Sequence, residues 1–138
     1  VDASVAAKWF LPASSEPLVN EALSLLTRYA NGQLQFVVPD LFWGEFGNIL
    51  WKAVRVGRCS KTAAEAALKS LKAHNVPSVS NLNLLDLAFA IATAFDRTVY
   101  DCLYVALAVE SKAQLITADE RLANALAAHF PVKWLGAI

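Results

Sequence analysis

The feature that most constrains this chain is an alternation: short β-branched or aromatic runs recur between much longer segments whose apolar residues fall at helical spacing. Phe36-Val37-Val38, Val76 to Val79, Gln114-Leu115-Ile116-Thr117 and Val132-Lys133-Trp134-Leu135 have strand character, and Val1 reads as the tail of a further strand. Helices are expected from the turn at Asp2-Ala3-Ser4 through Phe10 until Pro12, and from about Glu16 to Tyr29. Others are expected from Leu41 until Gly57 with Asp40 as cap, from Ser60 or Lys61 to about His74, from Leu84 to Phe95, from Thr98 to about Lys112, and from Asp119 to His129. Asn31-Gly32 and Gly57 are stop signals. The segment Leu84 to Phe95 is apolar on nearly every side, which predicts a central helix. Strands separated by one or two helices pair in parallel and carry helices on both faces, so an α/β sandwich is expected, with sites beyond the carboxyl ends of its strands.

A length of 138 residues with 57% apolar content suits one domain over 1–138, able to bury a core without disulfides or a structural metal. The opening Val-Asp and the lack of methionine lead to the expectation that a short leading segment, including part of the first strand, is missing. The formal net charge is zero, which excludes a global field drawing the chain onto nucleic acid. Charge is uneven locally: Lys52 to Lys72 holds six basic residues and one acid, net +5, and the remainder is net −5. Such a flank could contact phosphates or simply be a solvated face of two helices. Cys59 and Cys102 are too few and too far apart for a zinc motif or a disulfide framework, so free thiols in a reducing cytosol are expected. No apolar run approaches the roughly 20 residues of a membrane span, and no signal-peptide pattern opens the chain, so a soluble, cytoplasmic protein is expected.

Four acids stand where this pattern puts sites. Asp2 follows the first strand and Asp119 follows Leu115-Ile116-Thr117, so both sit at strand ends. Asp101 lies in the first turn of its helix, and Glu45 lies on the apolar stripe with Leu41, Phe42 and Ile49, where a charge is costly without compensation. Each Asp has a structural explanation: Asp119 could cap the last helix, Thr98 and Asp101 have the form of a capping box, and Asp2 could close a turn. No cap or surface role explains Glu45. Together, four carboxylates at one sheet end would repel one another unless a hard divalent cation, magnesium first, neutralised them. With no His or Cys placed as a ligand, zinc, copper and iron–sulfur sites are disfavoured.

Val1-Asp2-Ala3-Ser4-Val5, the block from Pro39 to Asn48 (Pro-Asp-Leu-Phe-Trp-Gly-Glu-Phe-Gly-Asn), the block from Thr98 to Ala108 (Thr-Val-Tyr-Asp-Cys-Leu-Tyr-Val-Ala-Leu-Ala) and the block from Leu115 to Leu122 (Leu-Ile-Thr-Ala-Asp-Glu-Arg-Leu) resemble, in order and spacing, the four signature blocks of PIN domains. They resemble most the VapC toxins of prokaryotic toxin–antitoxin pairs. The resemblance implies a three-layer sandwich with a central parallel sheet of about four to five strands, and Asp2, Glu45, Asp101 and Asp119 as an acidic quartet holding Mg2+ or Mn2+. It implies a metal-dependent endoribonuclease in which a metal-bound water attacks an RNA phosphodiester, leaving a 5′-phosphate and a 3′-hydroxyl, and which a cognate VapB-like antitoxin holds in check. The departures are Cys102 where a small alanine is frequent, bulky Phe42 and Trp43, and the clipped first strand.

In this reading Asp2, Asp101 and Asp119 are the metal ligands and Glu45 either ligates or orients the attacking water. Ser4 and Thr117 carry hydroxyls that could fix carboxylate rotamers, and Asn48 lies one turn after Glu45 on the same helix face. Lys8, Lys52, Arg55 and Arg97 are candidates for RNA contact, and Trp9, Trp43 and Trp51 are assigned to core or interface. A VapC-like role also predicts a homodimer, for which exposed Trp43 and Trp51 would suit. The alternative is a catalytically weak PIN-fold module whose task is to hold an antitoxin or another protein. A metal-dependent phosphatase or response-regulator-like domain also puts aspartates at strand ends, but it leans on a nucleophilic aspartate with a late lysine or threonine partner, and here the late strand offers Thr117-Ala118-Asp119.

Overall fold

The computed structural model describes residues 1–138. Seven α-helices alternate with four short strands: α1 (Ala3–Ala7), α2 (Val19–Ala30), β1 (Val38–Pro39), α3 (Leu41–Arg55), α4 (Lys61–Ala73), β2 (Ser78–Val79), α5 (Asn81–Phe95), α6 (Val99–Glu110), β3 (Leu115–Thr117), α7 (Glu120–Leu126) and β4 (Val132–Trp134). The fold is α/β with parallel strands, as the alternation predicts.

The sheet itself is less continuous than expected. β1 pairs in parallel with β2 and β3 with β4, giving two separate two-stranded ladders. Val1 forms no ladder, and the N-terminus is tied to β3 by one bond, from the Asp2 amide to the Ile116 carbonyl at 3.2 Å. Phe36, Val37, Leu115 and Ile116 line a largely apolar cavity of about 250 Å3, with Val1 and Tyr104 also in its wall. Phe36 and Val37, expected in the strand, precede β1 instead.

Helix ends follow local chemistry. Ser60 and Thr98 accept from the amides of Ala63 and Asp101, as N-caps do. Gly32 and Gly57 adopt positive φ just past α2 and α3, where the Arg58 amide reaches back to Ala53 and the Gln33 amide to Arg28. Asp40 is a correction: it is itself helical in conformation and caps nothing with its side chain. The Leu41 amide is instead met by Asn81 Oδ1 at 3.1 Å, a tertiary cap no local pattern announces.

The central helix is α6, not α5. Every residue from Cys102 to Ala108 is buried, and α6 packs against α5, β1 and β3. α5 buries Leu84, Ala88, Ile91 and Ala92 against α6, but Leu82, Leu85 and Phe89 on its other side are 79%, 42% and 59% exposed. Of the tryptophans, Trp9 donates to the Ala22 carbonyl and half-buried Trp43 to Ser78 Oγ, whereas Trp51 is 56% exposed. No helix is long and apolar enough to cross a membrane.

Candidate active site

Four elements deliver the four acids to one place. Asp2 opens α1, where Oδ1 accepts from the Val5 amide at 3.2 Å and from Ser4 Oγ at 2.5 Å. Glu45 projects from the second turn of α3. Asp101 sits in the first turn of α6, and Asp119 caps α7, accepting from the Leu122 amide at 3.1 Å. All four line a single cavity of about 390 Å3 together with Ser4, Gly44, Asn48, Tyr104 and four aliphatic residues, and its wall holds no Lys, Arg, His or Cys.

Electrostatics follow from that enclosure. Burial raises the Glu45 pKa; the Tyr104 hydroxyl bonded to it acts oppositely, and Asp2 and Asp101 add repulsion. Burial also raises the Asp101 pKa, offset by Thr98 and Arg97 and reinforced by Asp119 and Asp2. None of the four is in an ion pair; the chain's ion pairs are Lys8–Glu16, Arg58–Glu16 and Lys61–Glu65. The Cys102 thiol, fully buried beside Asp101, is pushed up to about 11, first by burial and then by that carboxylate.

An all-oxygen, all-anionic donor set with no competing cation in the wall fits a hard divalent ion. The fit is an open one. Nowhere in the chain do three His, Cys, Asp or Glu side chains stand close enough to cage an ion alone. Bonds within their own elements hold Asp2 and Asp119, and Tyr104 of α6 holds Glu45, so an ion here would meet few carboxylates at once, as Mg2+ commonly does.

Residues 1–126 match the sequence profile of the PIN domain. The chain belongs to the PIN-domain family. It is similar to Ribonuclease VapC3 of Pyrobaculum aerophilum, 34% identical over 131 residues that cover 90% of this chain and 91% of that protein. It is also similar to the crystal structure of PAE2754 from Pyrobaculum aerophilum, with a TM-score of 0.61 and 27% identity over 73% of this chain and 71% of that one.

In this PIN domain the neighbours of the acids differ in what they touch. The Ser4 hydroxyl donates to the Asp2 carboxylate. The buried Thr117 hydroxyl accepts from the Asp119 backbone amide at 3.0 Å and does not donate to the Asp119 carboxylate. Asn48 lines the cavity, exposed, and makes no hydrogen bond to Glu45. Lys8 is a correction as an RNA contact: it is 6% exposed and bonded to Glu16 at 2.9 Å. Lys52 and Arg55 are exposed on α3, the latter stacked over Trp51 at 5.5 Å, and Arg97 precedes α6.

One site residue escapes sequence reasoning. The Tyr104 hydroxyl donates to Glu45 Oε1 at 2.5 Å, and its own pKa is held far above the usual phenol value, first by burial and then by Glu45. The available signal was a tyrosine one turn after Asp101 in an otherwise apolar run.

Proposed function

We propose that this chain is a single PIN domain acting as a Mg2+- or Mn2+-dependent endoribonuclease of VapC type. The observation that carries the proposal is the meeting of Asp2, Glu45, Asp101 and Asp119, from four separate elements, in a cavity whose wall offers no cationic side chain. A chain that served only as a scaffold would gain nothing from two half-buried acids whose pKa values are raised by burial and mutual repulsion. The similarity to a protein named as a ribonuclease supports RNA as the substrate.

Asp2, Asp101 and Asp119 would hold the ion. When bound, a divalent ion acidifies water and neutralises charge building on the phosphoryl oxygens. Glu45 would join them or orient a water at the ion, its carboxylate held by Tyr104. Ser4 restrains the Asp2 carboxylate, and the Thr117 hydroxyl fixes the start of α7 and with it Asp119. Lys52, three turns along α3 from its start and on the same face as Glu45 and Asn48, and Arg97 beside α6 are the exposed or half-exposed cations suited to the RNA backbone.

As partners we infer a cognate VapB-like antitoxin and a second copy of the chain, the latter supported by the exposed apolar side of α5. The setting is cytoplasmic, consistent with two free cysteines. Incubating purified protein with RNA and Mg2+, with and without chelator, tests the enzyme reading. Cleavage lost with chelator and with Asp101→Asn is expected. Intact RNA in every tube, with tight binding of the antitoxin, would leave the protein as the non-catalytic binding module.

A further inference from the structure

Buried aromatic side chains with a polar tip need a hydrogen-bond partner, and backbone carbonyls are the usual choice. Trp9 takes the Ala22 carbonyl, and Tyr29 takes that of His74. Tyr104 takes a carboxylate instead. It is 5% exposed and lines both the apolar cavity beside β3 and the acidic cavity. There it donates to Glu45 Oε1 at 2.5 Å, the single hydrogen bond that the Glu45 side chain makes.

Glu45 differs in this from its neighbours. Asp2 and Asp119 are short side chains held by amides of their own helices, and Asp101 has Thr98 beside it in its own turn. A glutamate on α3 has an extra rotatable bond and no such local donor, so its carboxylate direction must be set from another element. Resting on the nuclease reading above, we infer that Tyr104 is the positioning residue for Glu45: a phenol rigidly seated in α6 holds Oε1 and leaves Oε2 as the oxygen available to ion and attacking water. Outer partners that orient a ligating or proton-accepting group commonly change metal affinity or activity by about 10- to 100-fold when removed.

The test uses Tyr104→Phe, Glu45→Gln and the double variant, with Mn2+ alone titrated by electron paramagnetic resonance and RNA cleavage resolved into kcat and KM. Tyr104→Phe is expected to weaken Mn2+ binding about tenfold and to lower kcat with KM unchanged, while adding nothing in the Glu45→Gln background. Wild-type affinity and kcat in Tyr104→Phe, or losses that multiply in the double variant, overturn the inference and leave the nuclease intact. A wild-type protein that neither binds Mn2+ nor cleaves RNA overturns both readings. Should the phenylalanine variant not fold, 3-fluorotyrosine placed at position 104 preserves shape and donor. Its fluorine resonance is expected to move on Mg2+ addition and to stay still in Glu45→Gln, and a resonance unmoved by Mg2+ in the otherwise wild-type protein overturns the proposal.

Discussion

Glu45 and Asp101 cost the fold stability so that the cavity can be anionic. Their folded-state pKa values lie above the ordinary carboxylate range, so between the unfolded and folded values the folded chain binds more protons than the unfolded one, and stability falls as pH rises through that interval. Chelator-treated protein is therefore expected to melt higher just above the usual carboxylate range than at neutral pH. Asp101→Asn at pH 7 should raise the melting temperature by a few degrees, roughly the size expected for a change of this kind, while abolishing Mn2+ binding. A melting point unchanged by Asp101→Asn and flat with pH would contradict a cost from burial and repulsion. Glu16 behaves oppositely: burial raises its pKa, but the bonds from Arg58 and Lys8 win and hold it low. Its contribution is complete above the unfolded value and is lost as pH falls through the lower folded one. Removing it with Glu16→Ala strands the buried Lys8 ammonium and is expected to cost about 3 kcal/mol, read from urea unfolding.

At the scale of elements, helix termination was readable because it is local. Glycine at positions 32 and 57 tolerates the left-handed backbone that lets the next amide reach back into the helix, and both sites are visible as letters. The end of α6 has the same geometry with the wrong residue. Lys112 sits at φ 51°, while its amide bonds Val109 at 3.3 Å and the Ala113 amide bonds Ala108 at 2.9 Å. Lys112→Gly should gain about 0.5–1 kcal/mol by relieving the backbone strain. Gly57→Ala should lose about 1 kcal/mol, and chemical denaturation of the pair checks both signs. The place where α3 starts was readable but its cap was not: the partner of the Leu41 amide is Asn81, forty positions away, and nothing near Asp40 betrays it.

For the whole molecule, the unexpected feature is an apolar surface. α5 is apolar on nearly every side, a composition that points to the middle of a fold, yet Leu82, Leu85 and Phe89 face solvent while α6 takes the centre. Exposed apolar residues grouped on one helix side mark an interface more often than isolated ones do. If a second copy covers this side, light scattering will give about twice the 14.9 kDa chain mass, and Phe89→Glu will return it to the single-chain value with RNA cleavage retained. A wild-type chain that scatters as a single copy at high concentration would rule this out.

What the sequence determined by itself was everything governed by period and by neighbours a few residues away: the α/β class with parallel strands, the helix stops, the cap at Thr98, and four acids standing at element ends or on an apolar stripe. Tertiary structure alone decided which helix is central, that the strands pair two and two, that Lys8 is buried and paired with the Glu16 that Arg58 also holds, and that Tyr104 reaches Glu45 from 59 residues away. The reason is physical. Periodicity records which faces of an element are apolar, whereas burial, ion pairing and hydrogen bonding between distant side chains depend on which faces meet, and that is fixed only when the whole chain packs.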